Sequence, residues 1–144
     1  MFSGKPKKKN RVFVIIGDGE CNEGSVWEAA MAASHFKLNN LFIFIDNNKF
    51  QQTGTNDQIM KTSDLRSKWE SFGWETIDID GHNIKELCNY FESMEDSELK
   101  PKAIIANTVK GKGFSFSENN NDWHHSILTK KLYDQALEEL EVNK

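Results

Sequence analysis

The chain has 144 residues, 28% of them charged, with a net charge of −4. That length supports one domain with a real core and not two, no apolar run reaches the roughly 20 residues of a membrane-spanning helix, and the acidic balance argues against a general nucleic-acid footprint. Cys21 and Cys88 lack metal-ligand spacing, so reduced thiols and a cytoplasmic setting are expected.

Residues 1–10 carry Lys5, Lys7, Lys8 and Lys9 with no apolar segment behind them, which reads as a solvated basic arm and not as a signal peptide. The apolar run Arg11–Ile16, rich in β-branched and aromatic residues and stopped by Gly17, predicts a buried parallel strand. Gly17-Asp18-Gly19 follows. Glu23–Phe36 is dense in helix formers, and Leu41–Ile45 predicts a second strand. A strand–helix–strand order makes the two strands parallel, joined by a right-handed crossover. Asp18 and Asp46-Asn47-Asn48 then sit at carboxyl ends of adjacent strands, where open α/β sheets bind ligands. A carboxylate, an amide oxygen and a backbone carbonyl form an oxygen-only set suited to Mg²⁺. Gly19 lets the backbone approach a phosphate, and the helix N-terminus offers free N–H groups to an anion. Each motif alone is also an ordinary turn; their joint placement favours a metal-and-diphosphate site.

Lys49–Lys61 is polar and without hydrophobic period, so a surface loop is predicted, with Gln51, Gln52 and Thr53 near the site. Ser63 is the expected N-cap of a helix over Asp64–Phe72 that ends at Gly73, with Leu65, Trp69 and Phe72 on its core face. Trp74–Asp80 alternates as a third strand. Its end, Gly81-His82-Asn83, returns to the same edge, where His82 reads equally as turn residue or functional group. Asn83 is the expected cap of Ile84–Met94, whose core stripe is Leu87, Tyr90, Phe91 and Met94. Lys102–Val109 predicts the fourth strand, and Lys110-Gly111-Lys112-Gly113 suits a backbone closing over an anionic ligand. The loop Phe114–Asp122 delivers Trp123-His124-His125, and Thr129 is placed as N-cap of a last helix whose apolar face should dock on the sheet or a partner. The fold class expected is α/β: a doubly wound, mostly parallel sheet in a single domain over residues 11–144.

The run Gly17-Asp18-Gly19-Glu20-Cys21-Asn22-Glu23-Gly24-Ser25-Val26-Trp27-Glu28-Ala29-Ala30, with Asp46-Asn47-Asn48-Lys49-Phe50-Gln51, resembles the thiamine-diphosphate motif of transketolases. Asp80-Gly81-His82-Asn83, Thr108–Gly113 and Trp123-His124-His125 continue the resemblance in family order, most closely that of the separately encoded N-terminal subunits of two-chain transketolases. It covers the chain from about Asn10 onward.

The resemblance implies that Asp18, the Asn48 side chain and the backbone carbonyl of Phe50 ligate Mg²⁺. It places Gly17, Asp18, Gly19, Glu20, Asn48, Phe50 and His124 at thiamine diphosphate, with the Gly19 N–H on the diphosphate. It gives His124, Glu23 and Glu28 catalytic positions: the histidine near diphosphate and substrate, the two glutamates connecting toward a partner's active site. A glycine usually follows the family histidine; here His125 stands there, which leaves either ring open for the role. The implied activity is transfer of a two-carbon ketol unit from a ketose phosphate to an aldose phosphate.

In the family the diphosphate domain has a further N-terminal stretch, and a pyrimidine-binding domain supplies an essential glutamate. Neither has a counterpart here. The implied partners are therefore a separate chain carrying the pyrimidine-binding domain, a chain carrying the N-terminal part, and sugar phosphates, in an oligomer that is inactive when this polypeptide is alone. Competing readings are an α-type subunit of a 2-oxoacid dehydrogenase, 1-deoxyxylulose-phosphate synthase, and a degenerate, non-catalytic cofactor-binding or interaction module.

Overall fold

The computed structural model describes residues 10–93 and 99–142; most of the basic arm and Met94 lie outside them. The elements are β1 (Val12–Gly17), α1 (Gly24–His35), β2 (Leu41–Asn47), β3 (Phe50–Gln51), β4 (Gly54–Thr55), α2 (Asn56–Ile59), α3 (Leu65–Ser71), β5 (Glu75–Asp80), α4 (Ile84–Ser93), β6 (Lys102–Asn107) and α5 (Lys130–Val142).

Four strands form one parallel sheet in the order β1-β2-β6-β5. Register pairs Gly17 with Asp46, Asp46 with Ala106, and Asp80 with Asn107. The carboxyl ends of all four strands therefore share one edge, as the sequence predicts.

The strand residues alternate between two covered faces. Ile16, Ile43, Ile45, Ala103 and Ile105 pack against Ala30 and Ala33 of α1 and Leu65 and Trp69 of α3. Phe42, Ile104, Ala106 and Ile79 meet Leu87, Tyr90 and Phe91 of α4 on the other side. The Trp74 indole N–H donates to the Ala30 carbonyl at 3.0 Å, tying the start of β5 to α1.

Three expectations need correction. β1 is an edge strand and not a buried one: Phe13 is 52% and Ile15 77% exposed, and only Ile16 of its apolar residues is buried. Its neighbour lies on one flank alone among the described residues. The region 49–61 is not a plain loop but a two-stranded β3–β4 hairpin leading into α2, whose start is held by a Thr55–Gln58 capping box. Lys49 enters it with φ +70°. Finally, α3 is capped by Asp64, which accepts the Ser67 N–H at 3.1 Å. Ser63, at φ +56°, lies outside the cap; a carboxylate is the stronger partner for the free N–H groups of a helix start.

Asn83 caps α4 through the Glu86 N–H at 3.1 Å. On the predicted docking face of α5 only Ala136 is buried, while Tyr133, Leu137 and Leu140 are exposed. The helix is tethered instead through Glu139, whose carboxylate accepts the N–H and hydroxyl of Ser115 at 2.8 and 2.5 Å.

Candidate functional site

The site is built where β1 and β2 end side by side. Beyond Gly17 the chain turns through a short 3-10 segment, Gly19–Asn22, into α1. Asp18 is fully buried in that turn. Its N–H donates to the Asp46 carbonyl at 3.1 Å, continuing the β1–β2 ladder by one residue. Its carboxylate collects three donors: the Gly19 N–H on Oδ1 at 2.8 Å, and on Oδ2 the Lys49 N–H at 2.7 Å and the Asn56 amide at 2.8 Å. Burial pushes the Asp18 carboxyl above its ordinary pKa despite these bonds, and the nearby Asp46 charge adds to the rise. Such a group gains from a cation.

Asn48 follows β2. Its Oδ1 accepts the Phe50 N–H at 2.9 Å in an Asx turn, and its Nδ2 donates to Asp46 Oδ2 at 2.8 Å. The other Asp46 oxygen accepts the Thr108 hydroxyl from beyond β6. Asp46 thereby fixes the Asn48 side chain, with its oxygen turned away from Asp46.

The donor chemistry fits Mg²⁺. Asp18, Asn48 and the Phe50 carbonyl offer oxygen only; Asp18 Oδ1 and Asn48 Oδ1 each keep a second lone pair beside one N–H bond, whereas Asp18 Oδ2 already accepts two. The Asn56 Oδ1 is buried without a partner among the described residues. Gly19 allows close approach over this turn: a Cβ there would stand 2.7 Å from Gln51 Cγ. One expectation meets a different partner, since the Gly19 N–H is held by Asp18 and not free for an outside anion.

The Glu20 carboxylate folds back to accept the Gly17 N–H at 3.2 Å. Glu23 is the backbone N-cap of α1 without a side-chain cap bond, and Glu23 and Glu28 are both exposed. Cys21 is buried beneath, its thiol pushed up to about 12 by burial and by the Asp18 and Glu20 charges. It is a neutral packing group.

His124 and His125 sit in and beside a second short 3-10 segment, Asn121–His124, with rings 4.6 Å apart and nearly perpendicular. They reach different neighbours. His124 Nδ1 is 3.3 Å from the Lys110 ammonium, whereas His125 Nε2 is 3.4 Å from the Gln52 amide on the β3–β4 turn. Local desolvation, then the Lys110 charge and His125, hold His124 below the usual histidine pKa. The Asn121 amide also donates to the Gln52 carbonyl at 3.3 Å, so this loop closes onto the hairpin that carries Phe50.

Sequence reasoning missed Asn56, Lys110 and the anchoring role of Asp46. Asn56 was hidden in a polar stretch with no period. Lys110 stood in a glycine–lysine run that read as backbone chemistry.

A parallel sheet whose strand ends gather a buried carboxylate, an Asx-turn amide and a glycine turn defines a diphosphate-binding α/β domain. Residues 3–143 match the family described as transketolase, thiamine diphosphate binding domain, and the chain belongs to that family. It is 37% identical over 140 residues to an apulose-4-phosphate transketolase subunit of Phocaeicola vulgatus, covering 97% of this chain and 50% of that protein. It is 43% identical over 132 residues to 6-deoxy-6-sulfo-D-fructose transketolase subunit SqwG of Clostridium sp., covering 92% and 48%. Against human transketolase the identity is 38% over 141 residues, 96% of this chain and 22% of the relative. The crystal structure of Campylobacter jejuni transketolase superposes with a TM-score of 0.82 at 27% identity, over 90% of this chain and 20% of that one. The chain thus spans about half the length of these two transketolase-subunit relatives.

Proposed function

We propose that this chain anchors thiamine diphosphate and Mg²⁺ for a transketolase reaction, moving a two-carbon ketol unit from a ketose phosphate to an aldose phosphate within an assembly of several chains. The observation that carries this reading is the fully buried Asp18, gripped by the Gly19 and Lys49 N–H groups and the Asn56 amide beside Asn48 and Phe50. In it Asp18, the Asn48 Oδ1 and the Phe50 carbonyl hold the metal. The Gly19 N–H, Gly17, Glu20 and His124 would hold the diphosphate, with His124 also near the substrate. Glu23 and Glu28, both exposed, face a partner chain. The chemistry the cofactor supplies when bound is carbon–carbon cleavage and formation through its thiazolium ring.

Relatives named as transketolase subunits support a partner chain, which in this proposal carries a pyrimidine-binding domain. Among the described residues no helix is long and apolar enough to cross a membrane, and a cytoplasmic setting belongs to this proposal.

Calorimetry on the chain assembled with the C-terminal half of a two-chain transketolase tests it. Thiamine diphosphate should bind only with Mg²⁺ present, and Asp18→Asn should abolish that binding, because octahedral Mg²⁺ tolerates a lost oxygen ligand poorly. Equal affinity in the variant would remove the metal assignment.

A further inference from the structure

We propose that His82 is a positioning residue: its ring, hydrogen-bonded to the Val109 N–H, fixes the loop that sets Lys110 against His124. The importance of that pair to catalysis rests on the function proposed above; the positioning itself rests on geometry alone.

The ends of β5 and β6 are pressed together. The Gly81 N–H donates to the Asn107 carbonyl at 2.9 Å, and a Cβ on Gly81 would lie 2.5 Å from Thr108 Cγ2 and 3.1 Å from Ala106 Cβ. Asp80 Oδ1 accepts the His82 N–H at 2.9 Å, which sets the turn. The His82 side chain is thereby delivered to the segment leaving β6, where Nε2 accepts the Val109 N–H at 2.8 Å. Only a neutral ring with its proton on Nδ1 can do this.

Two bonds from opposite sides now hold the exit of β6. Thr108 is tied through its hydroxyl to Asp46 toward β2, and Val109 is tied to His82 toward β5. Lys110 comes next. Its carbonyl accepts the Asn119 N–H at 2.9 Å, and the Gly111 carbonyl accepts the Ser117 hydroxyl at 2.7 Å. Loop and histidine segment therefore form one hydrogen-bonded unit, and the Lys110 ammonium reaches His124 Nδ1 at 3.3 Å. When Lys110 donates to Nδ1, the proton of a neutral His124 stands on Nε2 and is available to an anionic group. Releasing Val109 would free the residue next to Lys110 and loosen this arrangement.

The test uses the full chain labelled with ¹⁵N, compared with His82→Gln and His82→Phe. Glutamine keeps an acceptor oxygen but loses the ring; phenylalanine keeps the ring and loses the acceptor. In the native chain, His82 Nε2 should be unprotonated and Nδ1 protonated in long-range ¹H–¹⁵N spectra. Val109 amide exchange should rise about tenfold in His82→Phe, as loss of one hydrogen bond predicts, with movement of the His124 ring resonances. His82→Gln should stay close to wild type in both. A role in packing alone gives the reverse order, phenylalanine tolerated and glutamine not, and would overturn the proposal. So would unchanged Val109 exchange in His82→Phe, or a wild-type His82 protonated at Nε2, a readout that stands even where a variant does not fold. In the assembled protein, His82→Phe should weaken Mg²⁺–thiamine diphosphate binding about tenfold. Failure of the wild-type assembly to bind the cofactor would count against the proposed function and leave the Val109 and His124 readouts as the judgement on His82.

Discussion

Asp18 carries the main conflict in the molecule: a carboxyl group with no exposed surface and a pKa raised first of all by burial. Its ordinary value is 3.8, so between that pH and the raised native value the unfolded chain has released the proton while the native chain still holds it. Native stability therefore falls as pH rises through this window, and above it the ionised, buried group weakens the metal-free fold throughout. Asp18→Asn removes the titration. The stability of wild type relative to this variant, from urea midpoints in chelator-containing buffer, should fall as pH rises above 3.8 and then level off. A difference independent of pH would show that Asp18 does not titrate in this way. The placement of Asp18 was legible in the sequence only through Gly17-Asp18-Gly19 and Asp46-Asn47-Asn48 together at neighbouring strand ends, since either motif alone is an ordinary turn. Asn56 was not, because a lone asparagine in a polar stretch becomes significant only when the β3–β4 hairpin folds it under Asp18.

At the scale of elements, α3 shows what a periodic pattern can and cannot convey. Leu65, Trp69 and Phe72 follow helical spacing, and the structure buries Leu65 and Trp69 in the core with residues of α1, β2 and β6, while Phe72 packs partly buried against it. Trp69 is 1% exposed, with its ring 5.1 Å from that of Trp27 and 4.8 Å from that of Trp74. Trp69→Ala should therefore cost about 3–5 kcal/mol, read as a lower urea midpoint at constant slope; a loss below about 1 kcal/mol would mean the cluster repacks around the gap. The cap was misread by one residue, since Ser63 and Asp64 are both good N-caps and only the backbone decides between them. The positive φ of Ser63 settles the matter. β1 failed for a different reason: a run of Val, Phe, Val and Ile announces burial on both faces but cannot announce what supplies it.

That mismatch has its consequence at the scale of the whole molecule. Parallel strands with continuous apolar sequence are normally covered on both faces, yet Val12, Phe13, Val14 and Ile15 are 47%, 52%, 38% and 77% exposed on a strand with one flank unpaired among the described residues. An apolar edge carrying free backbone N–H and C=O groups is a template for further strand pairing. Such an edge should make the isolated chain self-associate as concentration rises, through β1 before any other surface. Ile15 is the most exposed residue of the row and lies outside the core clusters, so Ile15→Lys should leave the thermal midpoint nearly unchanged while a charge is placed on the edge. Light scattering against concentration should then show the variant monomeric where the wild type associates. Equal scattering from both chains would show that the edge is protected or that association proceeds elsewhere, with the exposed Tyr133, Leu137 and Leu140 face of α5 the next surface to charge.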